Sequence, residues 1–180
     1  MPLPTLQTER LLLRPFQMSD AKRVQELAGA FEIADTTGHM PHPYLDGMAE
    51  DWISGQADEF REGDGATFAI ILRATGELMG AIGLTIQAHN QRAEMGYWLG
   101  VSYWNRGYMS EAASAVIAYG FEQLHLNRIY SSYFPRNPAS GRVMQKAGMK
   151  YEGTLREHFV RWTKPEDLVY YGILKSEWEK

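Results

Sequence analysis

Residues 92–134 constrain the fold of this chain more than any other stretch, because two strand patterns there flank a helical one. The segment RAEMGYWLG, residues 92–100, shows little polar alternation, which predicts a strand buried on both faces. Beyond Gly107 the apolar residues follow helical spacing, and NRIYSSYF, residues 127–134, has strand character again. The apolar helical positions are Met109, Ala112, Ala113, Val116, Ile117, Gly120 and Phe121. A helix that links two neighbouring strands makes them parallel with a right-handed crossover, so we predict a mixed sheet.

The remaining chain alternates strand, helix and turn patterns, without repeats, low-complexity segments or linkers. The pair Thr75–Gly76 suits a hairpin turn, and Asn137–Pro138 suits the start of a helix that stops before Gly148. Strands are predicted at residues 8–16, 66–73, 77–87, 92–100, 127–134, 149–162 and 167–178, and helices from about residues 19, 46, 107 and 138. We therefore expect a single domain, residues 1–180, of the α+β or α/β class with seven strands and four helices.

Composition narrows the classes of function. The chain has no cysteine, which excludes a disulfide framework, a cysteine nucleophile and a thiolate metal site. No apolar run approaches the ~20 residues of a membrane span, and the start lacks signal-peptide features, so we expect a cytoplasmic protein without a membrane partner. A net charge of −4 argues against direct nucleic-acid binding.

Positive charge is concentrated in one segment. Residues 101–150 hold six basic and two acidic residues, a net charge of +4, whereas the rest of the chain carries −8. Such a segment favours a small anionic ligand, although chance clustering on a solvated surface is the alternative. The basic residues are Arg106, Arg128, Arg136, Arg142, Lys146 and Lys150.

The segment YWNRGYMSEA, residues 103–112, joins the strand of residues 92–100 to the following helix. The first turn of a helix carries unpaired N–H groups and partial positive charge, and Gly107 leaves that backbone open to a ligand. With Arg106 beside it, this turn could hold a phosphate or pyrophosphate; turn geometry alone is the competing interpretation. The dinucleotide pattern G-x-G-x-x-G and the Walker A loop are both absent.

Four segments in order carry a likeness to a known family. The segments TERLLLRPFQMSDA, AEMGYWLGVSYWNRGYMSEA, NRIYSSYFPRNPASGRVMQKAGMKYEGTLRE and DLVYYGILKSEW resemble the GNAT superfamily of N-acetyltransferases. Within it they are most similar to the branch that acetylates the N-terminal alanine or serine of ribosomal proteins. The resemblance implies an acetyl-CoA-dependent enzyme without a metal, built on a V-shaped, mostly antiparallel mixed sheet.

The resemblance also assigns a coenzyme A site. The family's pyrophosphate loop, [Q/R]-x-x-G-x-[G/A], maps onto Trp104, Gly107 and Met109, of which only the glycine matches the general pattern. The strand before the loop, residues 97–101, would splay from its neighbour at a bulge, which Gly96 and Gly100 permit. The implied coenzyme-binding residues are Trp98, Leu99, Val101, Arg106, Gly107, Tyr108, Met109, Ser110, Asn137 and Ser140.

Ser140 and Glu94 are the two candidate catalytic residues. By the resemblance, Asn137 binds the pantetheine and Ser140 protonates the departing thiolate; from the residues alone they could be a helix cap and a first-turn serine. Many family members use a tyrosine seven residues after the asparagine, where this chain has Met144. Glu94 is the candidate base, since an unpaired carboxylate is costly in an apolar strand. Its alternative role is a structural ion pair with an arginine from a neighbouring strand, such as Arg128.

The amine acceptor is the least constrained feature. His39, His42 and Tyr44 could line an acceptor groove or simply pack, and Arg156, with Asp167, could orient an acceptor. Three functions remain open: an N-terminal acetyltransferase, a small-molecule amine acetyltransferase acting on a polyamine or antibiotic, and a non-catalytic acyl-CoA-binding module. A homodimer is compatible with the sequence, which does not decide the oligomeric state.

Overall fold

The computed structural model describes residues 2–178 and arranges them as one eight-stranded sheet with helices on both faces. The strands are β1 (Leu6–Gln7), β2 (Leu11–Arg14), β3 (Gly65–Leu72), β4 (Leu78–Gln87), β5 (Arg92–Leu99), β6 (Arg128–Tyr133), β7 (Lys150–Arg161) and β8 (Lys164–Leu174). The helices are α1 (Ala21–Ala28), α2 (Phe31–Thr36), α3 (Met48–Glu62), α4 (Tyr108–Glu122), α5 (Pro138–Lys146) and α6 (Lys175–Trp178). No helix among these residues is long and apolar enough to cross a membrane.

The order of the strands in the sheet is β1-β2-β3-β4-β5-β6-β8-β7. Neighbours pair antiparallel except β5 and β6, which α4 connects and which run parallel. The predicted mixed sheet with one parallel crossover is therefore confirmed. The local signals hold as well: Gly76 takes a φ of 75° in the β3–β4 turn, and Gly148 takes 85° after α5.

Each sheet face has its own apolar cluster, because successive strand residues point to opposite faces. On one face, α4 and α5 pack over a cluster that includes Phe68 and Ile82. On the other face, α1 and α3 pack over Ala69, Ile71 and Leu78.

The sheet opens into a V between its two parallel strands. Backbone pairing of β5 with β6 covers only Arg92–Glu94 against Arg128–Tyr130, although both strands continue. The next hydroxyl, that of Ser131, donates to the Met95 carbonyl at 2.7 Å, and beyond it the strands diverge. The predicted V shape is present, but the pairing of β5 with β4 runs without a register shift, so no bulge produces it.

The structure corrects several sequence predictions. There are eight strands and six helices among residues 2–178, instead of about seven and four. The predicted strand at residues 8–16 is shortened to Leu11–Arg14, because the Thr8 hydroxyl accepts the Leu11 N–H at 3.0 Å and forms a turn before it. The predicted helix from residue 19 breaks at Ala30, whose ψ of 132° is extended, so α2 becomes a separate helix.

The ends of the central and last strands also differ from prediction. Strand β5 was predicted to be buried on both faces, but Glu94 and Gly96 are exposed, because α1 and α3 do not cover that part of its face. The last strand ends at Leu174 rather than at residue 178. There the Glu177 carboxylate accepts the Leu174 N–H at 3.1 Å and starts the short helix α6.

Candidate active site

The loop before α4 presents an uncapped helix end. Gly107 adopts a left-handed φ of 79° at the N-cap, and no side chain caps the first turn of α4. Its unpaired N–H groups and the positive end of the helix dipole are therefore available to an anion.

A cavity of about 460 Å³ lies between this helix end, β5 and α5. Its lining includes most of the predicted coenzyme-binding residues: Trp98, Leu99, Gly107, Tyr108, Met109, Ser110, Asn137 and Ser140. Val101 and Arg106 are exposed and do not line it. Arg142 and Lys146 on α5 do, although the sequence singled them out only as members of the basic segment. We call this space the donor cavity.

Two bulky residues of the loop are accommodated without blocking the donor cavity. The Met109 side chain is only 7% exposed because it packs into the apolar core beneath α4. The Trp104 indole N–H donates to the Leu99 carbonyl at 2.6 Å and fastens the loop to the end of β5. The misfit of Met109 to the family pattern therefore leaves the backbone of the cradle clear.

Arg10 holds the same loop from the N-terminal segment, a role that the sequence did not suggest. Its Nε donates to Glu111 on α4 at 2.7 Å, and its Nη1 donates to the Arg106 carbonyl at 3.0 Å. Its guanidinium also lies 4.7 Å from the centre of the Tyr108 ring. The resulting ion pair and the Thr8 hydroxyl hold the pKa of Glu111 below its ordinary value, against partial burial, which raises it.

A second cavity, of about 440 Å³, lies on the other side of the V; we call it the acceptor cavity. It includes Glu94 and His39, together with aromatic residues that the sequence did not single out: Tyr133, Phe134, Phe159 and Tyr170. The two cavities share the lining residues Thr36, Thr37, Tyr97, Trp98 and Ser140. They therefore adjoin through the opening that the divergence of β5 and β6 leaves in the sheet.

Ser140 and Tyr97 meet at this junction. The Tyr97 hydroxyl lies 2.8 Å from Ser140 Oγ and 3.1 Å from the Ser140 carbonyl. Burial raises the pKa of Tyr97 well above its ordinary value, so this hydroxyl keeps its proton. Asn137 occupies the N-cap position of α5, but its side chain makes no capping hydrogen bond, which leaves its amide on the lining of the donor cavity.

Glu94 does not form the ion pair with Arg128 that was its alternative role. Arg128 instead forms a bidentate pair with Glu152, and no salt bridge to Glu94 occurs within residues 2–178. The Glu94 side chain reaches solvent, but the surrounding protein removes part of its hydration; this desolvation raises the pKa of Glu94 above its ordinary value, while His39 and the Tyr130 hydroxyl act in the opposite direction. The result is a carboxylate on the wall of the acceptor cavity with a raised proton affinity.

The structure places one of the four predicted acceptor residues on the acceptor cavity and the other three elsewhere. Only His39 lines the acceptor cavity. His42 lies against Phe31 with 5.3 Å between ring centres, and Tyr44 packs on the α1–α3 cluster. Arg156 is exposed on β7, outside both cavities, and Asp167 accepts the Glu157 N–H at 2.8 Å. The placement of His42, Tyr44 and Arg156 gives no support to an acceptor role.

Some basic residues of the segment 101–150 form ion pairs, whereas others line the donor cavity. Arg128 and Arg136 form ion pairs with acidic residues, as does Lys150 with Glu177 at 2.6 Å. Arg142 and Lys146 remain on the donor cavity, one helical turn apart. The excess of charge seen in the sequence therefore reaches the cavity through α5 and the helix end of α4.

The fold is the one that acetyltransferases of a known family share. A family model described as an acetyltransferase (GNAT) domain matches residues 10–150. The chain belongs to the GNAT family and is an N-acetyltransferase, as the resemblance in the sequence implied.

Particular relatives cover nearly the whole chain. It is 35% identical over 179 residues to the "Uncharacterized N-acetyltransferase p20" of Bacillus licheniformis, covering 98% of this chain and 99% of that one. It is 29% identical over 179 residues to the "Putative ribosomal N-acetyltransferase YdaF" of Bacillus subtilis, covering 95% and 94%.

Solved structures agree. A GNAT-family acetyltransferase from Bacillus anthracis superposes with a TM-score of 0.85 at 29% identity, covering 96% of this chain and 99% of that one. Mycobacterium smegmatis RimJ, solved in complex with CoA-disulfide, has the same fold with a TM-score of 0.84 at 23% identity, covering 94% and 84%.

Proposed function

We propose that this chain, acting as a single domain, transfers the acetyl group of acetyl-CoA to the α-amine at the N-terminus of a protein. The observation that carries the proposal is the pair of adjoining cavities. The donor cavity ends at the uncapped helix of Gly107, the acceptor cavity carries Glu94, and they join at Ser140. A thioester entering from one side and an amine from the other would meet in the opening of the sheet.

The donor cavity suits coenzyme A. The N–H groups at the start of α4 would hold the pyrophosphate, while Arg142 and Lys146 add positive charge to the same cavity. The Asn137 amide would bind the pantetheine arm, which would lie along β5. The structure of RimJ with CoA-disulfide supports this assignment through the shared fold.

Strand β5 offers backbone groups to the thioester. Gly100 N–H donates to Met79 on β4, so the N–H and C=O groups of Met95, Tyr97 and Leu99 point toward the cleft. Ser131 occupies the Met95 carbonyl and Trp104 occupies the Leu99 carbonyl, each by a hydrogen bond. The Tyr97 N–H, between them, is the donor that we assign to the thioester oxygen as negative charge develops.

The chemistry then needs one proton removed from the amine and one delivered to the sulfur. Glu94 takes a proton from the amine, directly or through water, the C–N bond forms and the C–S bond breaks. The sulfur leaves with the electron pair of the C–S bond and takes the hydroxyl proton of Ser140, which regains a proton from water, while Glu94 releases the amine proton to water. An α-amine has a pKa of roughly 8 against about 10.4 for lysine, so a weakly basic carboxylate serves an N-terminus better.

The lining of the acceptor cavity favours a monoamine over a polyamine. Among the described residues that form it, Glu94 is the only carboxylate, whereas a polyamine with several cationic groups needs several. The relative YdaF bears a ribosomal name, and the charge of −8 outside residues 101–150 would attract a basic protein.

The test is thiol release from acetyl-CoA in the presence of peptides that begin with Ala or Ser, polyamines, and aminoglycosides. We expect the α-amine peptides to give the highest kcat/KM and Ser140→Ala to lower kcat with little change in acetyl-CoA affinity. Preference for a polyamine or aminoglycoside would instead support the small-molecule function. Acetyl-CoA binding without thiol release on any amine would support a non-catalytic module.

A further inference from the structure

Tyr97 is the residue at the junction of the two cavities whose hydroxyl the proposed chemistry has not yet used. It lies on the part of β5 that has lost its β6 partner, and its side chain crosses to α5. There its hydroxyl lies 2.8 Å from Ser140 Oγ and 3.1 Å from the Ser140 carbonyl, and both residues line both cavities.

A tyrosine hydroxyl has one hydrogen, so these two contacts define two arrangements. In the first, Tyr97 donates to the Ser140 carbonyl, and the Ser140 hydrogen points back at the Tyr97 oxygen. In the second, Tyr97 donates to Ser140 Oγ, and the Ser140 hydrogen is free to point elsewhere. Only the second arrangement lets Ser140 donate to a sulfur atom in the opening of the sheet.

The charge state of Tyr97 restricts what it can do. Because burial disfavours the phenolate, Tyr97 remains a neutral donor and does not supply the proton of the thiol. A hydrogen bond that Tyr97 donates to Ser140 Oγ polarises the serine O–H, since linked hydroxyls strengthen one another. This compensates for the weak acidity of an isolated serine.

We propose that Tyr97 is a positioning residue that turns the Ser140 hydroxyl toward the departing sulfur of coenzyme A. The inference rests on the proposed function through the role of Ser140, but it does not depend on which amine is the acceptor. No bond to Tyr97 forms or breaks: the electron pair of the C–S bond stays on sulfur, and Tyr97 keeps its hydrogen throughout.

The test is a double-mutant cycle on Tyr97→Phe and Ser140→Ala, using whichever primary amine the wild type acetylates fastest. We expect Tyr97→Phe to lower kcat about 10-fold, as loss of one hydrogen bond predicts, with KM for acetyl-CoA unchanged. Ser140→Ala should lower kcat about 100-fold. The double variant should match Ser140→Ala alone, because Tyr97 acts only through Ser140.

A matched control separates this role from simple packing. Tyr119→Phe removes the hydroxyl of another largely buried tyrosine, which is 5% exposed on α4 and packed on Phe68, away from both cavities, and kcat should not change. The proposal is overturned if the two effects multiply to about 1000-fold, or if Tyr97→Phe leaves kcat intact or acts through KM. A different preferred acceptor would overturn the N-terminal acceptor class while leaving this cycle readable.

Discussion

At the scale of single residues, the environment of Glu94 decides what its carboxylate can do. It lies at the last position where β5 pairs with β6, opposite Tyr130 and away from the Arg128–Glu152 pair. Sequence analysis left an ion pair and a base as alternatives, because a strand pattern does not show which neighbour a side chain selects. The placement of Arg128 removes the ion pair and leaves the base as the proposal.

We predict that Glu94→Gln lowers kcat about 100-fold without impairing folding, because glutamine cannot accept the amine proton. Desolvation raises the pKa of Glu94, and a base acts when deprotonated, so activity should fall as pH drops through a pKa above the ordinary value of a glutamate. A pH profile of kcat checks this: the acidic limb should disappear in Glu94→Gln. The exposed Glu62→Gln is the control and should retain the limb. A variant with wild-type kcat at neutral pH would exclude Glu94 as the base.

At the scale of elements, the uncapped end of α4 depends on a partner about a hundred residues away. Arg10 and Thr8 both bond the Glu111 carboxylate, and Arg10 also bonds the Arg106 carbonyl. These contacts tie the N-terminal segment to the first turn of α4 and to the loop that precedes it. The loop geometry that presents the N–H groups therefore belongs to two distant segments of sequence.

We predict that Arg10→Ala weakens acetyl-CoA binding about 5-fold, since about 1 kcal/mol of loop positioning is lost, while kcat at saturation stays within about 2-fold. Calorimetric titration with acetyl-CoA checks the affinity. Arg61→Ala is the matched control, because Arg61 pairs with Asp58 of the same helix, α3, and both side chains are exposed. We call the contacts of Arg10 with Glu111 and the Arg106 carbonyl the clamp from Arg10. Equal effects of the two substitutions would show that positive charge, rather than this clamp, supports acetyl-CoA binding.

The close backbone approach of β4 to β5 at Gly80 leads to a prediction about stability. A Cβ at Gly80 would lie 2.2 Å from the Trp98 carbonyl oxygen and 2.9 Å from Leu99 Cα, both of them backbone atoms. We predict that Gly80→Ala lowers the free energy of unfolding by about 3 kcal/mol, because the strands must separate.

Urea denaturation measures this cost. The control is Gly55→Ala in α3, where nothing lies within 4 Å of the new Cβ and helix propensity predicts a gain of up to about 1 kcal/mol. Similar stabilities for the two variants would contradict the tight β4–β5 contact.

At the scale of the whole molecule, residues at the turn between β7 and β8 bind residues 34–40, which we call the roof segment because part of it lines the acceptor cavity. The Arg161 guanidinium donates to the carbonyls of Ala34, Gly38 and Met40, and the Trp162 indole N–H donates to Asp35 at 2.9 Å. Thr36 to Met40 line the cavity on its outer side. The acceptor cavity thus depends on contacts between opposite ends of the chain.

We predict that Arg161→Ala raises KM for the amine acceptor about 10-fold and changes KM for acetyl-CoA much less, because the roof segment loses three carbonyl contacts, of which those at Gly38 and Met40 involve residues that line only the acceptor cavity. Steady-state kinetics with each substrate varied in turn provides the measurement. Lys164→Ala, an exposed basic residue on the same turn, is the control. An equal rise in KM for both substrates would show that the turn supports the sheet as a whole.

The sequence alone determined the features that follow from local physics. Alternating strand and helix periods around Gly107 were enough to predict the parallel crossover, and an asparagine–proline pair was enough to place the start of α5. The helix that starts behind Gly107 followed from the same reasoning, and anion binding at its uncapped end stays a prediction. Such signals are readable because they depend on neighbours within a few residues.

Only the tertiary structure decided which side chains share the cleft. The Tyr97–Ser140 contact, the clamp from Arg10 and the anchor at Arg161 join residues from 43 to 127 positions apart. No local periodicity encodes such pairs, because they exist only once the sheet has opened and its helices have packed. The same packing places Met109 in the core and pairs Arg128 with Glu152 instead of Glu94. The sequence could therefore identify these residues as candidates, but it could not predict their neighbours.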